Sequence, residues 1–94
     1  MRVRLTSRAY GELQQISSYF ADRSPETATS IFAVIERIFS GLATTPYRGR
    51  ATDVKGVRCI VVPRFPYKVF YRVSGDTIEV LSIFHTSQDP DRQP

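Results

Sequence analysis

No run of roughly eighteen apolar residues occurs in the chain, so no helix is expected to span a membrane. A single cysteine, Cys59, excludes an internal disulfide and any cysteine-cluster metal site, and neither a metal nor another cofactor is expected. The opening MRVRLTS carries charge but no apolar run, so no secretory signal is read, and a cytoplasmic, reducing location is the simplest expectation. Common catalytic signatures are missing too: there is no Gly-rich phosphate loop, no Gly-x-Ser-x-Gly elbow and no His-Glu-x-x-His pair. His85 and Ser87 stand two residues apart, which by itself is no evidence of a nucleophile pair. Asp89 and Asp91 lie on a Pro-flanked tail better read as solvated than as metal ligands.

What the chain does hold is unevenly spread positive charge. Of its net +4, residues 48–72 carry Arg48, Arg50, Lys55, Arg58, Arg64, Lys68 and Arg72 against Asp53 alone, and the segment from Val73 onward is net acidic. A basic block of this kind suits a polyanion or an acidic protein as partner, or simply a solvated face.

Ninety-four residues are too few to divide, so one domain over 1–94 is expected, with about 86–94 a flexible tail. Arg2 to Leu5 alternates like a half-buried strand. Thr6 and Ser7 are candidate N-caps for a helix whose apolar face is Ala9, Leu13, Ile16 and Phe20. Ser24, Pro25 and Glu26 are the cap, first-turn proline and first-turn acid of a second helix. Its stripe runs through Ala28, Ile31, Phe32, Ile35, Ile38, Phe39 and Leu42, and Pro46 ends it. A short link between the helices predicts an antiparallel hairpin.

Residues 47–56 read as a loop, followed by strands at about 57–62, 67–73 and 78–84, with SGDT at 74–77 as a tight turn. Alternation puts Tyr67, Val69, Tyr71 and Val73 on one face of their strand and Lys68, Phe70 and Arg72 on the other. In the last strand it groups Leu81, Ile83, Glu79 and His85 against Ile78, Val80 and Phe84. The expected architecture is α+β: a strand, a helical hairpin, then a three-strand antiparallel meander, with the hairpin on one sheet face.

Hairpin pairing of the last two strands places His85 near Pro66 to Lys68. Arg58, Arg64, Lys68 and His85 could then converge on one sheet edge to hold a phosphate and shuttle a proton. The alternative is that the cations are solvated and His85 merely ends a strand. Phe70, on the charged side, either stacks on a base or packs under a loop.

The order of elements and the segments Ser7-Arg8-Ala9, TPYRGR at 45–50, FPYKVFYRV and IFH together resemble the RelE/ParE superfamily of type II toxin–antitoxin modules. The resemblance runs from Val3 to about Pro90. It implies a bacterial growth-arresting toxin neutralised by a cognate ParD- or RelB-like antitoxin. The antitoxin is expected on the hairpin at Leu13, Ile16, Phe20, Ile31, Ile35 and Phe39, and on the sheet at Phe70 and Arg72. RelE-like members cut messenger RNA on the ribosome, whereas ParE-like members inhibit DNA gyrase. In the first case Lys68 together with Arg58 or Arg64 would bind phosphate and His85 would act as acid–base. The chain has Lys68 where RelE-like members have an Arg, no Tyr after Val73, and Gln88 where many relatives have an Arg. The balance favours the ParE-like branch and a non-enzymatic inhibitor. The ribonuclease, or an inactive toxin retained for antitoxin pairing, is the alternative.

Overall fold

The computed structural model describes residues 1–87. In chain order the elements are β1 (Arg2–Leu5), α1 (Ser7–Ala21), α2 (Pro25–Thr44), β2 (Arg50–Ala51), β3 (Arg58–Val61), β4 (Tyr67–Ser74) and β5 (Thr77–His85). The expected α+β order is present, with one addition. The loop predicted at 47–56 contains the two-residue strand β2, whose Arg50 and Ala51 pair antiparallel with Cys59 and Arg58. So short a strand carries no periodicity of its own, and its pairing partner alone holds it extended.

Local chemistry sets the helix ends. The Thr6 hydroxyl accepts from the Ala9 amide at 3.1 Å and donates to the Leu81 carbonyl at 3.1 Å, so one side chain caps α1 and ties it to β5. At α2 the proline stands in the first turn as expected, but the Ser24 hydroxyl bonds the Thr27 hydroxyl at 2.7 Å instead of a backbone amide. The far end of α2 is met by a charge the sequence pattern did not indicate. The Met1 ammonium donates to the Ala43 carbonyl at 3.0 Å, where unpaired carbonyls make the helix end negative.

The sheet order is β1-β5-β4-β3-β2; β1 runs parallel to β5 and every other pair is antiparallel. Both helices pack on one face. Ala9 and Ile16 of α1 and Ile31, Val34, Ile35, Ile38 and Leu42 of α2 join Tyr67, Val69, Tyr71, Ile78, Val80 and Ile83 in the main core. On the helix-free face a smaller cluster gathers Val57, Cys59, Phe70 and Phe84, with Leu81 at its margin.

The β4 alternation is as expected, but the grouping within β5 is corrected. Phe70 pairs with Ser82 and Tyr71 with Val80, so the register skips Leu81. This irregularity reverses the parity of everything beyond it. Ile83 therefore sits with Ile78 and Val80 beneath the helices, Phe84 joins Leu81 on the opposite side, and His85 pairs with Tyr67. The amide of Ile83 donates to the Glu12 carboxylate of α1 at 3.0 Å, and the Ser82 hydroxyl to the same oxygen at 2.8 Å. A helix side chain thus supplies the acceptor where the ladder is irregular.

Thr86 and Ser87, assigned to the flexible tail, are bonded to the domain. The Thr86 amide donates to the Pro66 carbonyl at 2.7 Å, and the Ser87 amide to His85 Nδ1 at 3.1 Å. The rest of that expected tail lies outside the described residues.

Candidate functional site

The basic segment begins at the corner TPYRGR. Arg48 lies against Gly41, where an added Cβ would overlap its guanidinium nitrogen. Gly49 lies against Tyr71, where an added Cβ would meet the phenolic oxygen at 2.5 Å. That oxygen accepts from the Gly49 amide at 2.8 Å and donates to the Pro46 carbonyl at 2.9 Å. Tyr71 is fully buried, and burial pushes its phenol above the ordinary value, with the Gly49 bond acting in the opposite sense. Arg58 closes the same corner: it donates to the Gly49 carbonyl at 2.7 Å and the Tyr47 carbonyl at 3.2 Å, and lies over the Tyr47 ring. Two residues of the motif and one of β3 therefore serve this loop: Gly49 admits the phenol, Arg48 lies against Gly41 of α2, and Arg58 bonds the loop carbonyls.

The four candidate catalytic residues do not converge. Arg58 pairs with Tyr71 and His85 with Tyr67, which separates them by four residues of β4, about 14 Å at roughly 3.4 Å per residue. Lys68 pairs with Phe84 and Val61 and so projects from the helix-free face, opposite His85. Arg64 is exposed at the tip of the β3–β4 turn, with a backbone φ of 68°. Alternation along β4 separates Lys68 from Tyr67 and hence from His85, and the β5 irregularity decides which side the histidine takes.

His85 lies instead at the mouth of a groove of about 560 Å³ between α1 and the end of the β4–β5 hairpin. Its ring meets Tyr67 edge-on at 5.2 Å, and Nδ1 is hydrogen-bonded with the Ser87 hydroxyl at 2.6 Å. Glu12, Tyr19, Phe20 and Phe65 complete the walls. Burial raises the Tyr67 phenol, with nearby Tyr19 adding to the effect. The groove joins acid–base groups to rings but holds none of the candidate cations.

Against this geometry the comparisons with known proteins are decisive. The model of the family described as ParE toxin of type II toxin–antitoxin system, parDE, matches residues 3–90. The chain belongs to the ParE toxin family. Among relatives, this ParE-family chain is 34% identical over 87 residues to the candidate toxin Y4kP of Sinorhizobium fredii, covering 93% of this chain and 90% of that protein. Among solved structures it resembles the chromosomal ParDE system of P. aeruginosa with a TM-score of 0.76 and 27% identity, over 90% of this chain and 95% of the other. The RelBE2 toxin–antitoxin complex of Mycobacterium tuberculosis follows at 0.61 and 25%, over 89% and 95%. The intact E. coli RelBE complex, at 0.65 and 11% over 89% and 94%, shares the fold.

Within the ParE toxin, the residues expected to meet an antitoxin divide by accessibility. Ile16, Ile31, Ile35 and Phe70 are 6, 0, 2 and 2% exposed and cannot present a surface in this conformation. The helical stripes and the sheet are each other's partners, so the most apolar positions are consumed inside the chain. Leu13, Phe20 and Phe39 stay half-buried at the core's margin, and Arg72 is exposed. Phe70 stacks on Phe84 with centroids 5.2 Å apart, so it packs within the protein.

The helix-free face holds one arrangement that alternation alone did not reveal. Arg4 on β1 and Arg72 on β4 both bond the Glu79 carboxylate on β5 between them, Arg72 at 2.8 Å. The guanidiniums, Arg4 foremost, hold that carboxyl below its ordinary value of 4.5. The tight turn at 74–77 sets Arg72 opposite Glu79, but only the strand order, with β1 parallel to β5, brings Arg4 into the same row.

Proposed function

We propose that this ParE-family toxin arrests growth by binding DNA gyrase without cleaving RNA, and that a ParD- or RelB-like antitoxin neutralises it in the cytoplasm. The observation that carries the reading is the separation of the candidate catalytic side chains: Arg58 is bonded to loop carbonyls, and Lys68 and His85 project from opposite sheet faces. Groups so placed do not both hold one phosphate and take the proton of the hydroxyl that attacks it, because acid–base transfer needs heavy atoms within roughly 3 Å. An antitoxin partner is supported by two neighbours, the P. aeruginosa ParDE system and the M. tuberculosis RelBE2 toxin–antitoxin complex. Its docking surface is the hairpin margin at Leu13, Phe20 and Phe39, together with Arg72, through helix-in-groove packing. Supercoiling by purified gyrase should fall when the free toxin is added and recover when antitoxin follows; undiminished supercoiling at saturating toxin would overturn the reading.

One observation favours a second reading. His85 shares its groove with Tyr67 and Glu12, an acid–base set beside an aromatic ring. A ribosome-dependent messenger ribonuclease would use that groove. It requires cut messages in a translating extract, abolished by His85→Ala; intact messages with ribosomes present remove it.

A further inference from the structure

The helix-free face of the sheet concentrates the protein's charge. Arg2 and Arg4 alternate with Val3 and Leu5, which pack into the helix-side core, so both arginines project to the other side. Arg50 pairs with Cys59, and Lys68 with Phe84, two residues of the helix-free cluster. Arg50 and Lys68 both act on the Cys59 thiol electrostatically, which places them over the same patch. Arg72 completes the set through Glu79. Among the described residues, the strand positions on this face thus hold five cations and one carboxylate, Glu79. That excess of four equals the net charge of the whole sequence.

We infer that this face is a docking surface for an acidic protein segment. Charge complementarity argues for an anion, and the rings argue for which kind. A surface that binds single-stranded nucleic acid presents aromatic faces on which bases stack. Here Phe70 and Phe84 are 2% and 4% exposed and stack on each other, so the patch offers no platform. It offers guanidiniums already arranged for carboxylates: Arg4 and Arg72 flank Glu79 from neighbouring strands, yet their side chains remain 69% and 54% exposed. Planar guanidinium forks match carboxylate geometry. Val61, 55% exposed beside Lys68 in the register, adds an apolar contact at the rim. The inference does not rest on gyrase being the target.

The test uses the purified free toxin and a fluorescein-labelled oligoglutamate peptide, followed by anisotropy. The peptide should bind, with affinity falling as salt rises. Arg50→Gln with Lys68→Gln should weaken it about tenfold. Arg23→Gln with Arg37→Gln, the same charge change elsewhere, should leave it nearly unchanged. These four positions avoid the Glu79 pairs, and circular dichroism confirms folding of each variant. Absence of peptide binding, equal losses in the two double variants, or tighter binding of a single-stranded oligonucleotide of matched charge would each overturn the inference. Gyrase inhibition is read in a separate assay, so either result can fail without the other.

Discussion

The Tyr71 hydroxyl donates to the Pro46 carbonyl across 25 residues of chain, at 2.9 Å, while accepting from the Gly49 amide. A buried phenol on the central strand therefore sets the position of the loop that follows α2. TPYRGR, one of the segments that carry the family resemblance, is thus a structural joint with Tyr71.

Tyr71→Phe removes both bonds and strands a buried donor and an acceptor at the corner. The expected loss is about 2 kcal/mol, measured by urea unfolding. Gly49→Ala should cost at least as much, since its Cβ would overlap the phenol. The two changes should combine with less than additive loss, because removing the hydroxyl relieves part of the overlap.

Glu12 accepts from both Ile83 and Ser82 where the β5 register is irregular. Glu12→Ala should destabilise by about 1–3 kcal/mol, and Glu12→Gln by less, because the amide keeps one acceptor oxygen. Hydrogen exchange should show the Ile83 amide losing protection in the alanine variant ahead of the rest of β5.

Glu79 makes stability depend on pH in acid. Its folded pKa lies below 4.5, so the unfolded chain takes up a proton before the folded one does. The stabilisation is present above about 4.5 and is lost as pH falls through the lower folded value. Glu79→Gln should show a flatter stability profile below pH 4.5 and lower stability at neutrality, read by denaturant titration across pH.

Arg58 is bonded to the Tyr47 and Gly49 carbonyls. Arg58→Ala should therefore lower thermal stability by a few degrees, consistent with about 1 kcal/mol in a domain of this size. His85→Ala, induced without antitoxin, should still arrest growth under the gyrase reading; loss of arrest with retained folding would favour the ribonuclease.

Local pattern was enough for much of the architecture. The 4-3-4 spacing of Ala9, Leu13, Ile16 and Phe20, the Ser24-Pro25-Glu26 start and the alternation of Tyr67 to Val73 each depend on a few neighbouring residues. Helix and strand periods are intrinsic to the backbone, so such segments announce themselves. The family resemblance was legible for a related reason: its segments, such as TPYRGR and FPYKVFYRV, are short and stand in a fixed order along the chain.

Tertiary structure decided the rest, because the causes lie far apart in sequence. Parallel pairing of β1 with β5 placed Arg4 beside Glu79, and the skipped Leu81 turned Ile83 and His85 toward the helices. That one-residue irregularity separated His85 from Lys68, a relation that strict alternation cannot supply. Sequence by itself determined the elements other than β2, the family and the excess of positive charge. Only the fold decided which face carries that charge, which cations brace a loop and which remain to meet a partner, since strand register and burial are properties of the assembled sheet.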